Sequence, residues 1–354
     1  MRKIKVALLF GGKSAEHEVS LISAASIYNN LDRNKFDVIS LYINPEGKWR
    51  VVESPLESFA NLKKGVFHSF LPWESIHMAQ TIKADIYFPV LHGPYGEDGT
   101  LQGFLEMADV PYVGASVLAS AVGMDKALSK IIWKTLDLPV VSHKLLCEQD
   151  WLENRKEILT EIKSQFSPPV FIKPSNLGSS VGITKVNDFT LAETAIEKAF
   201  RYDRRILVEE GIQGREIECS VLGNDAPIAS LPGEIIPFRE FYDYRDKYIE
   251  GKTSFCIPAS LPDTTVKEIQ RISITAYKAI DCSGMARVDF FLKEKTEKII
   301  LNELNTIPGF TEISMYPKLW EASGISFPKL LEMLIDFGFE RHQKKKRIRG
   351  SFPK

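Results

Sequence analysis

The first third of the sequence alternates short apolar runs with helical segments, and this alternation restricts the fold more than any other feature. Apolar runs that indicate strands lie at residues 6–10, 37–43 and 84–90, with helical patterns at residues 20–31 and 101–107. Strands that are apolar throughout are typical of a parallel sheet covered by helices on both faces. The sequence therefore predicts an N-terminal α/β unit built on a parallel sheet.

Glycine and histidine residues directly follow two of these predicted strands. Gly11 and Gly12 follow the first strand, and His92 and Gly93 follow the third. In parallel sheets, ligands bind beyond the carboxyl ends of the strands. We therefore predict a ligand site at this edge. Since no Gly-x-Gly-x-x-Gly motif follows the first strand, a dinucleotide is the weaker interpretation.

The rest of the chain mixes strands and helices in a way that indicates an α+β unit. Predicted strands lie at residues 169–173, 206–210, 216–222, 285–292 and 298–304, and helices at residues 126–136, 149–164, 190–200 and 264–279. We expect the last two strands to form an antiparallel pair. Residues 233–251 form a long polar and aromatic segment, and long loops inside compact units are usually functional or disordered.

Composition excludes several classes of protein. The chain of 354 residues has 44% hydrophobic residues, 26% charged residues and a net charge of −1, so no overall basic field attracts nucleic acid or anionic membranes. A basic run at residues 344–349 is interpreted as a solvated tail. Four separated cysteines without a Cys-x-x-Cys pair disfavour disulfides and structural zinc. Because no apolar stretch suits a signal peptide or a membrane span, we expect a cytoplasmic protein.

Two predicted strands near the end of the chain carry polar residues at alternating positions. Arg287 and Asp289 share one face of their strand, as do Glu303 and Asn305 on the next. Two carboxylates, an amide and a guanidinium suit Mg²⁺ that bridges nucleotide phosphates. Cross-strand polar pairing on a solvated face is the alternative. The Gly/Pro loop that ends at Gly309 favours the metal site, because such loops offer backbone N–H groups.

A strand-borne lysine followed by a loop of small residues is the second candidate feature. Lys173 ends a predicted strand, and residues 175–182 are rich in glycine and serine. Such loops bind phosphate through backbone N–H groups. The loop lacks the Gly-Lys-Ser/Thr ending of a Walker A motif, and an ordinary turn remains the alternative.

Taken together, these motifs resemble those of the D-alanine–D-alanine ligases of the ATP-grasp superfamily, from Gly11 to about Glu340. The segments that carry the resemblance are residues 11–21, 91–99, 124–126, 173, 178–182, 241–248, 287–289 and 302–315. The resemblance implies a pre-ATP-grasp domain followed by an ATP-grasp fold. The implied parts are a Rossmann-like substrate domain (1–125), a central ATP-grasp subdomain (126–218), a C-terminal ATP-grasp subdomain with the metal site and lid (219–342), and a basic tail (343–354).

The resemblance also implies an activity, which is the ligation of two D-alanines to D-alanyl-D-alanine for peptidoglycan precursor synthesis. ATP would convert the first D-alanine to an acyl phosphate, with two Mg²⁺ or Mn²⁺ ions held by Asp289, Glu303 and Asn305. A homodimer is implied, with neither nucleic acid nor membrane as a partner.

The other implied roles fall into three groups. The catalytic group would bind the ammonium of the first substrate, connect it to the lid and stabilise the oxyanion. It comprises Glu16, Ser179, Tyr248, Arg287 and Gly309. A substrate-binding group comprises His92, Ser314 and Met315. An ATP-binding group comprises Lys126, Lys173, Ser180, Glu209, Glu210, Ile212, Glu216 and Lys247.

Three alternatives to this activity stay open at the level of sequence. A ligase of the same fold could form D-alanyl-D-lactate, although Lys247 and Tyr248 match the relatives that accept D-alanine. A nicotinamide-dependent dehydrogenase could use the N-terminal sheet, but the absence of a Gly-x-Gly-x-x-Gly motif argues against it. A non-catalytic nucleotide-binding module is the third, and the intact Asp289, Glu303 and Asn305 argue against it.

Overall fold

The computed structural model describes residues 2–57, 59–62, 64, 82–236, 253–294 and 296–348. Within these residues the strands form three sheets, one after another along the chain. The strands are β1 (Ile4–Gly11), β2 (Phe36–Ile43), β3 (Trp49–Val52), β4 (Ile86–Pro89), β5 (His143–Cys147), β6 (Val170–Pro174), β7 (Thr184–Val186), β8 (Arg205–Glu210), β9 (Gly214–Leu222), β10 (Ile228–Ala229), β11 (Gly233–Ile236), β12 (Ser254–Cys256), β13 (Met285–Lys293) and β14 (Ile299–Asn305).

Helices cover the sheets and connect them. They are α1 (His17–Asn30), α2 (Phe59–Leu62), α3 (Thr100–Met107), α4 (Val117–Met124), α5 (Lys126–Thr135), α6 (Glu148–Gln165), a 3₁₀ turn (Phe189–Leu191), α7 (Ala192–Phe200), α8 (Asp263–Ala279), α9 (Met315–Ala322) and α10 (Phe327–Ile348). Among the described residues, no helix is both long and apolar enough to cross a bilayer.

The first sheet confirms the predicted parallel core. Its order is β3-β2-β1-β4, and β1 pairs in parallel with both β2 and β4. Both faces of β1 are buried, which explains its unbroken apolar sequence. Val6, Leu8 and Phe10 pack into one hydrophobic cluster, and Ala7 and Leu9 pack into another on the opposite face.

The second and third sheets are antiparallel, which confirms the predicted change from α/β to α+β. The second sheet has the order β5-β8-β6-β7. The third has the order β12-β11-β9-β13-β14, with β10 also paired to β9. The predicted domain divisions stay predictions. The division at 218/219 lies inside β9, which pairs along its whole length in the third sheet.

One predicted loop needs correction, and one strand of the first sheet was not predicted. Residues 233–251 were predicted as a loop, but β11 occupies the first four of them, because its backbone pairs with β9 and β12. Residues 237–252 lie outside the described residues. The strand β3 was not predicted, and it adds an antiparallel edge to the first sheet.

The basic run near the C-terminus was predicted as a solvated tail. As far as Ile348 it is helical, and residues 346–348 are exposed. Lys344 pairs with Asp225 and Glu340, and Lys345 pairs with Glu106. These acidic partners lie mainly on distant segments, so the basic run alone did not indicate them. Arg341 in the same helix donates to the carbonyl of Tyr112. The last turns of α10 are therefore held against the N-terminal unit.

Candidate active site

A polar cleft lies where loops of the first sheet meet the third sheet and the glycine/serine loop after β6. Its walls combine residues that are far apart in sequence. They include Glu16, His92, Glu97, Gly178, Ser179, Glu218, Arg287, Glu303, Asn305, Gly309, Ser314 and Met315. Nine of the predicted site residues thus line a single cleft, together with Gly178, Glu97 and Glu218, which were not predicted as site residues.

The strands β13 and β14 bring the predicted metal ligands together. Their antiparallel register sets Asp289 opposite Glu303 and Arg287 opposite Asn305, with a shift just after Asp289. Asn305 Nδ2 donates to Asp289 Oδ2 at 3.0 Å. Among the described residues, no group of three His, Cys, Asp or Glu side chains is placed so that it could hold a metal ion. Two carboxylates and one amide oxygen nevertheless make an oxygen donor set whose chemistry fits Mg²⁺.

Arg287 is held in the cleft wall by two carboxylates. Its Nε and Nη2 donate to the two oxygens of Asp289 at 2.7 Å each, and Nε lies 2.9 Å from Glu218 Oε2. Burial opposes the charge, but Asp289 and Glu218 outweigh it and raise the pKa of the guanidinium. A fixed, permanently charged donor group at this position can stabilise developing negative charge.

The loop after β14 forms the adjoining wall. Gly309 approaches Ser314 so closely that a Cβ there would lie 2.7 Å from Ser314 Oγ. Ser314 Oγ accepts a hydrogen bond from the backbone N–H of Thr311 at 3.0 Å. Met315 begins α9, so its N–H lies at a helix N-terminus, where anions are favoured. This wall can therefore receive a carboxylate.

Glu16 and Ser179 meet across the cleft, as predicted. Ser179 Oγ donates to Glu16 Oε1. Ser179 and Ser180 adopt left-handed backbone conformations, with φ of +47° and +59°, which turn the loop sharply toward Glu16. Gly178 must be small, because a Cβ there would lie 3.1 Å from Glu16 Oε2. The loop after β6 therefore contacts the N-terminal unit through one carboxylate.

His92 lies beside this pair and is buried. Its Nδ1 is 3.1 Å from the carbonyl oxygen of Ile307, and its Nε2 is 3.3 Å from Ser23 Oγ. Burial lowers the pKa of His92 despite the nearby Glu16 carboxylate. The imidazole is therefore neutral at pH 7 and can donate or accept one hydrogen bond without adding charge.

Glu97 is a site residue that sequence reasoning missed. It lies within the motif that contains His92, and its Oε1 accepts the backbone N–H of Gly93 at 2.9 Å. Burial and the neighbouring Glu16 raise the pKa of Glu97 to about 8. The carboxyl is therefore mostly protonated at pH 7 and can donate a hydrogen bond. Its position five residues after His92 was the signal available in the sequence.

Glu218 is the second missed residue. It faces the cleft from β9 and lies opposite Asp289 in the register of β9 and β13. Strand alternation puts Glu218 on the same side of β9 as Glu216, which the family resemblance had marked as a candidate. Its ion pair with Arg287 explains why a carboxylate is tolerated at this buried position.

Lys126, one of the predicted phosphate lysines, lines a smaller pocket at the end of the cleft formed by Gly178, Glu303 and Asn305. Asp125 caps α5 by accepting the N–H groups of Ala127 and Leu128, and so sets the start of the helix at Lys126. Lys126 Nζ donates to the carbonyl of Leu177 at 2.7 Å and lies 3.5 Å from Glu303 Oε2. One ammonium thus connects the glycine/serine loop with the Glu303 carboxylate.

Lys173 lies on β6 next to the predicted hinge strand β8. Its Nζ is 2.5 Å from Glu209 Oε2. Glu210, the next residue, pairs with Lys293 at 3.0 Å. The predicted hinge residues therefore differ in exposure, with Glu209 buried and Glu210 half-exposed. Among the other ATP-binding candidates, Ser180, Ile212 and Glu216 are partly exposed around this end, whereas Lys247 and the catalytic candidate Tyr248 lie outside the described residues.

Comparison with known proteins gives concordant matches. Two family models match, one described as D-ala D-ala ligase N-terminus over residues 5–115, the other as D-ala D-ala ligase C-terminus over residues 132–336. A protein of Acetivibrio thermocellus named D-alanine--D-alanine ligase is 46% identical, with 96% of this chain and 97% of that relative covered.

Solved structures are similar over almost the whole chain. The D-alanine-D-alanine ligase from Coxiella burnetii has a TM-score of 0.82 and 39% identity, covering 98% of this chain and 97% of that one. The VanG D-Ala:D-Ser ligase from Enterococcus faecalis has a TM-score of 0.84 and 37% identity, covering 95% of this chain and all of the other. The antiparallel sheets and the cleft thus belong to a fold that has already been solved.

Proposed function

The chain belongs to the D-alanine–D-alanine ligase family, and on that basis we propose that it joins two D-alanines into D-alanyl-D-alanine with conversion of ATP to ADP and phosphate. The observation that carries this proposal is the cleft itself. It brings Arg287, Glu303 and Asn305 into one lining with Glu16 and His92, so a guanidinium that can bind an anion and a carboxylate that can bind an ammonium share a single site.

The proposed reaction has two steps. A carboxylate oxygen of the first D-alanine attacks the γ-phosphorus of ATP, the bond to the β-γ bridging oxygen breaks, and ADP leaves. The amine of the second D-alanine, after losing its proton, attacks the carbonyl carbon of the acyl phosphate, and phosphate leaves with the C–O bonding electrons. Both steps depend on positioning and on the stabilisation of negative charge.

The first D-alanine is proposed to bind between Glu16 and His92. The Glu16 carboxylate, held by Ser179, pairs with the substrate ammonium. His92 remains neutral, because burial lowers its pKa, and so it does not compete for Glu16 as a second cation. This arrangement selects an amino acid rather than a simple carboxylic acid as the first substrate.

The oxyanion of the second step is proposed to lie between Arg287 and the N–H of Gly309. The guanidinium is oriented by Asp289 and Glu218, so little reorganisation accompanies the reaction. Ser314 and the N–H of Met315 bind the carboxylate of the second D-alanine.

The nucleotide is proposed to bind at the other end of the cleft. Lys126 and Lys173 contact the phosphates with help from Ser180, while Glu209, Glu210 and Ile212 receive the adenine and Glu216 the ribose. Asp289, Glu303 and Asn305 would hold the metal ions, and Mg²⁺ there supplies charge that neutralises the transferring phosphoryl group. Lys247 and Tyr248 belong to a proposed lid that excludes water from the acyl phosphate. A homodimer in the cytoplasm completes the proposal and rests on the family.

The test is ATP-dependent phosphate release from purified protein with one candidate substrate at a time. D-Alanine is expected to stimulate release and to yield the dipeptide, whereas L-alanine is expected to give background release. Mixtures of D-alanine with D-serine or D-lactate distinguish the dipeptide ligase from relatives with other second substrates. Absence of D-alanine-stimulated release in the presence of Mg²⁺ would refute the proposal.

A further inference from the structure

Lys130 carries a charge in a place where charged side chains are rare. It lies on α5, one turn after Lys126, and its side chain is fully buried. Its Nζ donates to the carbonyl oxygen of Asn302 at 2.6 Å and lies 3.3 Å from Glu209 Oε1, an ion-pair contact without hydrogen-bond alignment. One ammonium thus links the hinge strand β8 to the metal-bearing strand β14.

Glu209 is shared between two lysines. Lys173 contacts Oε2 at 2.5 Å, while Lys130 faces Oε1, and all three groups are buried. Burial alone would raise the pKa of Glu209, but the two ammonium groups outweigh it and lower that pKa. Burial lowers the pKa of Lys130 to about 8, so it remains mainly protonated at pH 7. The cluster therefore carries two positive charges and one negative charge.

This surplus of charge has a consequence for Lys173. In a pair of Lys173 and Glu209 alone, the two charges would cancel, and the lysine would be held by a single buried carboxylate. With Lys130 on the other carboxylate oxygen, the three groups together carry one net positive charge. Glu303, whose charge also acts on Lys130, is paired with Lys126 at 3.5 Å. Since buried ion pairs are weak sources of stability, fold stability alone is a poor reason for a buried triad.

We propose that Lys130 is a positioning residue for ATP, which balances Glu209 so that the charge of Lys173 remains available to the nucleotide phosphates. The inference rests on the proposed function for the identity of the nucleotide. Lys130 itself touches no substrate, and it acts through Glu209.

The experiment is calorimetric titration of the full-length protein with ATP and Mg²⁺, without D-alanine. Lys130→Met keeps an unbranched side chain of similar length and removes the charge. We expect ATP binding to weaken by about tenfold, the effect of one unit charge several ångströms away at intermediate dielectric. Lys144→Met is the matched control. Lys144 lies in the same sheet and pairs with Glu161 at 2.7 Å, so its loss is expected to leave ATP affinity unchanged.

A second substitution separates this role from a merely structural one. In the Glu209→Gln background, Lys173 no longer has a buried carboxylate partner, so no carboxylate is left there for Lys130 to balance. Adding Lys130→Met to Glu209→Gln is therefore expected to change ATP affinity little. A large further loss of affinity in this pair would overturn the inference even if Lys130→Met alone fails to fold.

Two outcomes would overturn the inference. One is a folded Lys130→Met variant that binds ATP like the wild type. The other is an equally large loss of ATP affinity when Lys130 is replaced in the Glu209→Gln background. Failure of the proposed function gives a different result, in which the wild type binds ATP but releases no phosphate with D-alanine, while the pattern among the Lys130 and Glu209 variants is as expected.

Discussion

Replacing Arg287 by lysine tests whether ligation needs an oriented guanidinium or only a positive charge. Arg287 makes two contacts of 2.7 Å to Asp289 and one of 2.9 Å to Glu218. Lysine has a single nitrogen and cannot reproduce this fork. A hydrogen bond to a charged group contributes about 1.5–3 kcal/mol, so we expect Arg287→Lys to destabilise the fold by about 2 kcal/mol, because 18% exposure screens part of the effect.

The effect on turnover is expected to be larger than the effect on folding. Loss of one oriented oxyanion donor lowers kcat by about 10²–10³-fold. The assay is phosphate release at saturating D-alanine, with urea unfolding to measure the stability of the same samples. Arg215→Lys is the control, because Arg215 makes an equivalent fork to Glu234, at 2.7 and 2.6 Å, outside the lining of the cleft.

A folded Arg287→Lys enzyme with near-normal kcat would refute the reasoning, and so would an equal loss of kcat in Arg215→Lys. The first result would mean that charge alone suffices at this position. The second would mean that the lost turnover reflects a general loosening of the third sheet.

Three further predictions concern the metal, a buried acid and the second substrate. Glu303→Gln is expected to lower turnover by at least about 10²-fold, because the metal charge stabilises the transition state; normal turnover at ordinary Mg²⁺ would contradict the assignment. In the folded protein the pKa of Glu97 is about 8, against an ordinary value of 4.5. The folded state therefore binds this proton more tightly than the unfolded state does. As pH rises between these two values, the free energy of unfolding falls by at most about 1.4 kcal/mol per pH unit. Glu97→Gln should flatten this decline in urea unfolding, and an equally flat wild type would disprove the raised pKa. In a labelled competition, D-alanine is expected to be ligated in preference to D-lactate from neutral pH down to about pH 6, because a lid tyrosine, unlike a histidine, gains no charge there; mainly D-alanyl-D-lactate would identify a depsipeptide ligase.

Strand alternation predicted well which polar side chains of β13 and β14 share a face, for a physical reason. Asp289, Glu303 and Asn305 lie on two adjacent strands, and the period of two determines which side chains share a face. Antiparallel pairing of neighbours along the chain then brings the faces together. Few long-range contacts are needed for that prediction, so local pattern was sufficient.

Burial of charge could not be predicted in the same way. Lys130 lies on a helix whose sequence resembles any amphipathic surface helix, and only its packing against β8 and β14 encloses the ammonium. Glu97 is likewise an ordinary acidic residue until the loops around it exclude water. Both depend on contacts between segments that are remote in sequence, which residue patterns do not encode.

The C-terminal helix α10 has a consequence for how the chain is made. Leu330, Leu331 and Leu334 in this helix share one hydrophobic cluster with Val6 and Leu8 of β1. Because β1 leaves the ribosome long before α10 is made, one face of the parallel sheet lacks its cover until then. The N-terminal unit thus cannot complete its core as it emerges, and its final folding waits for α10.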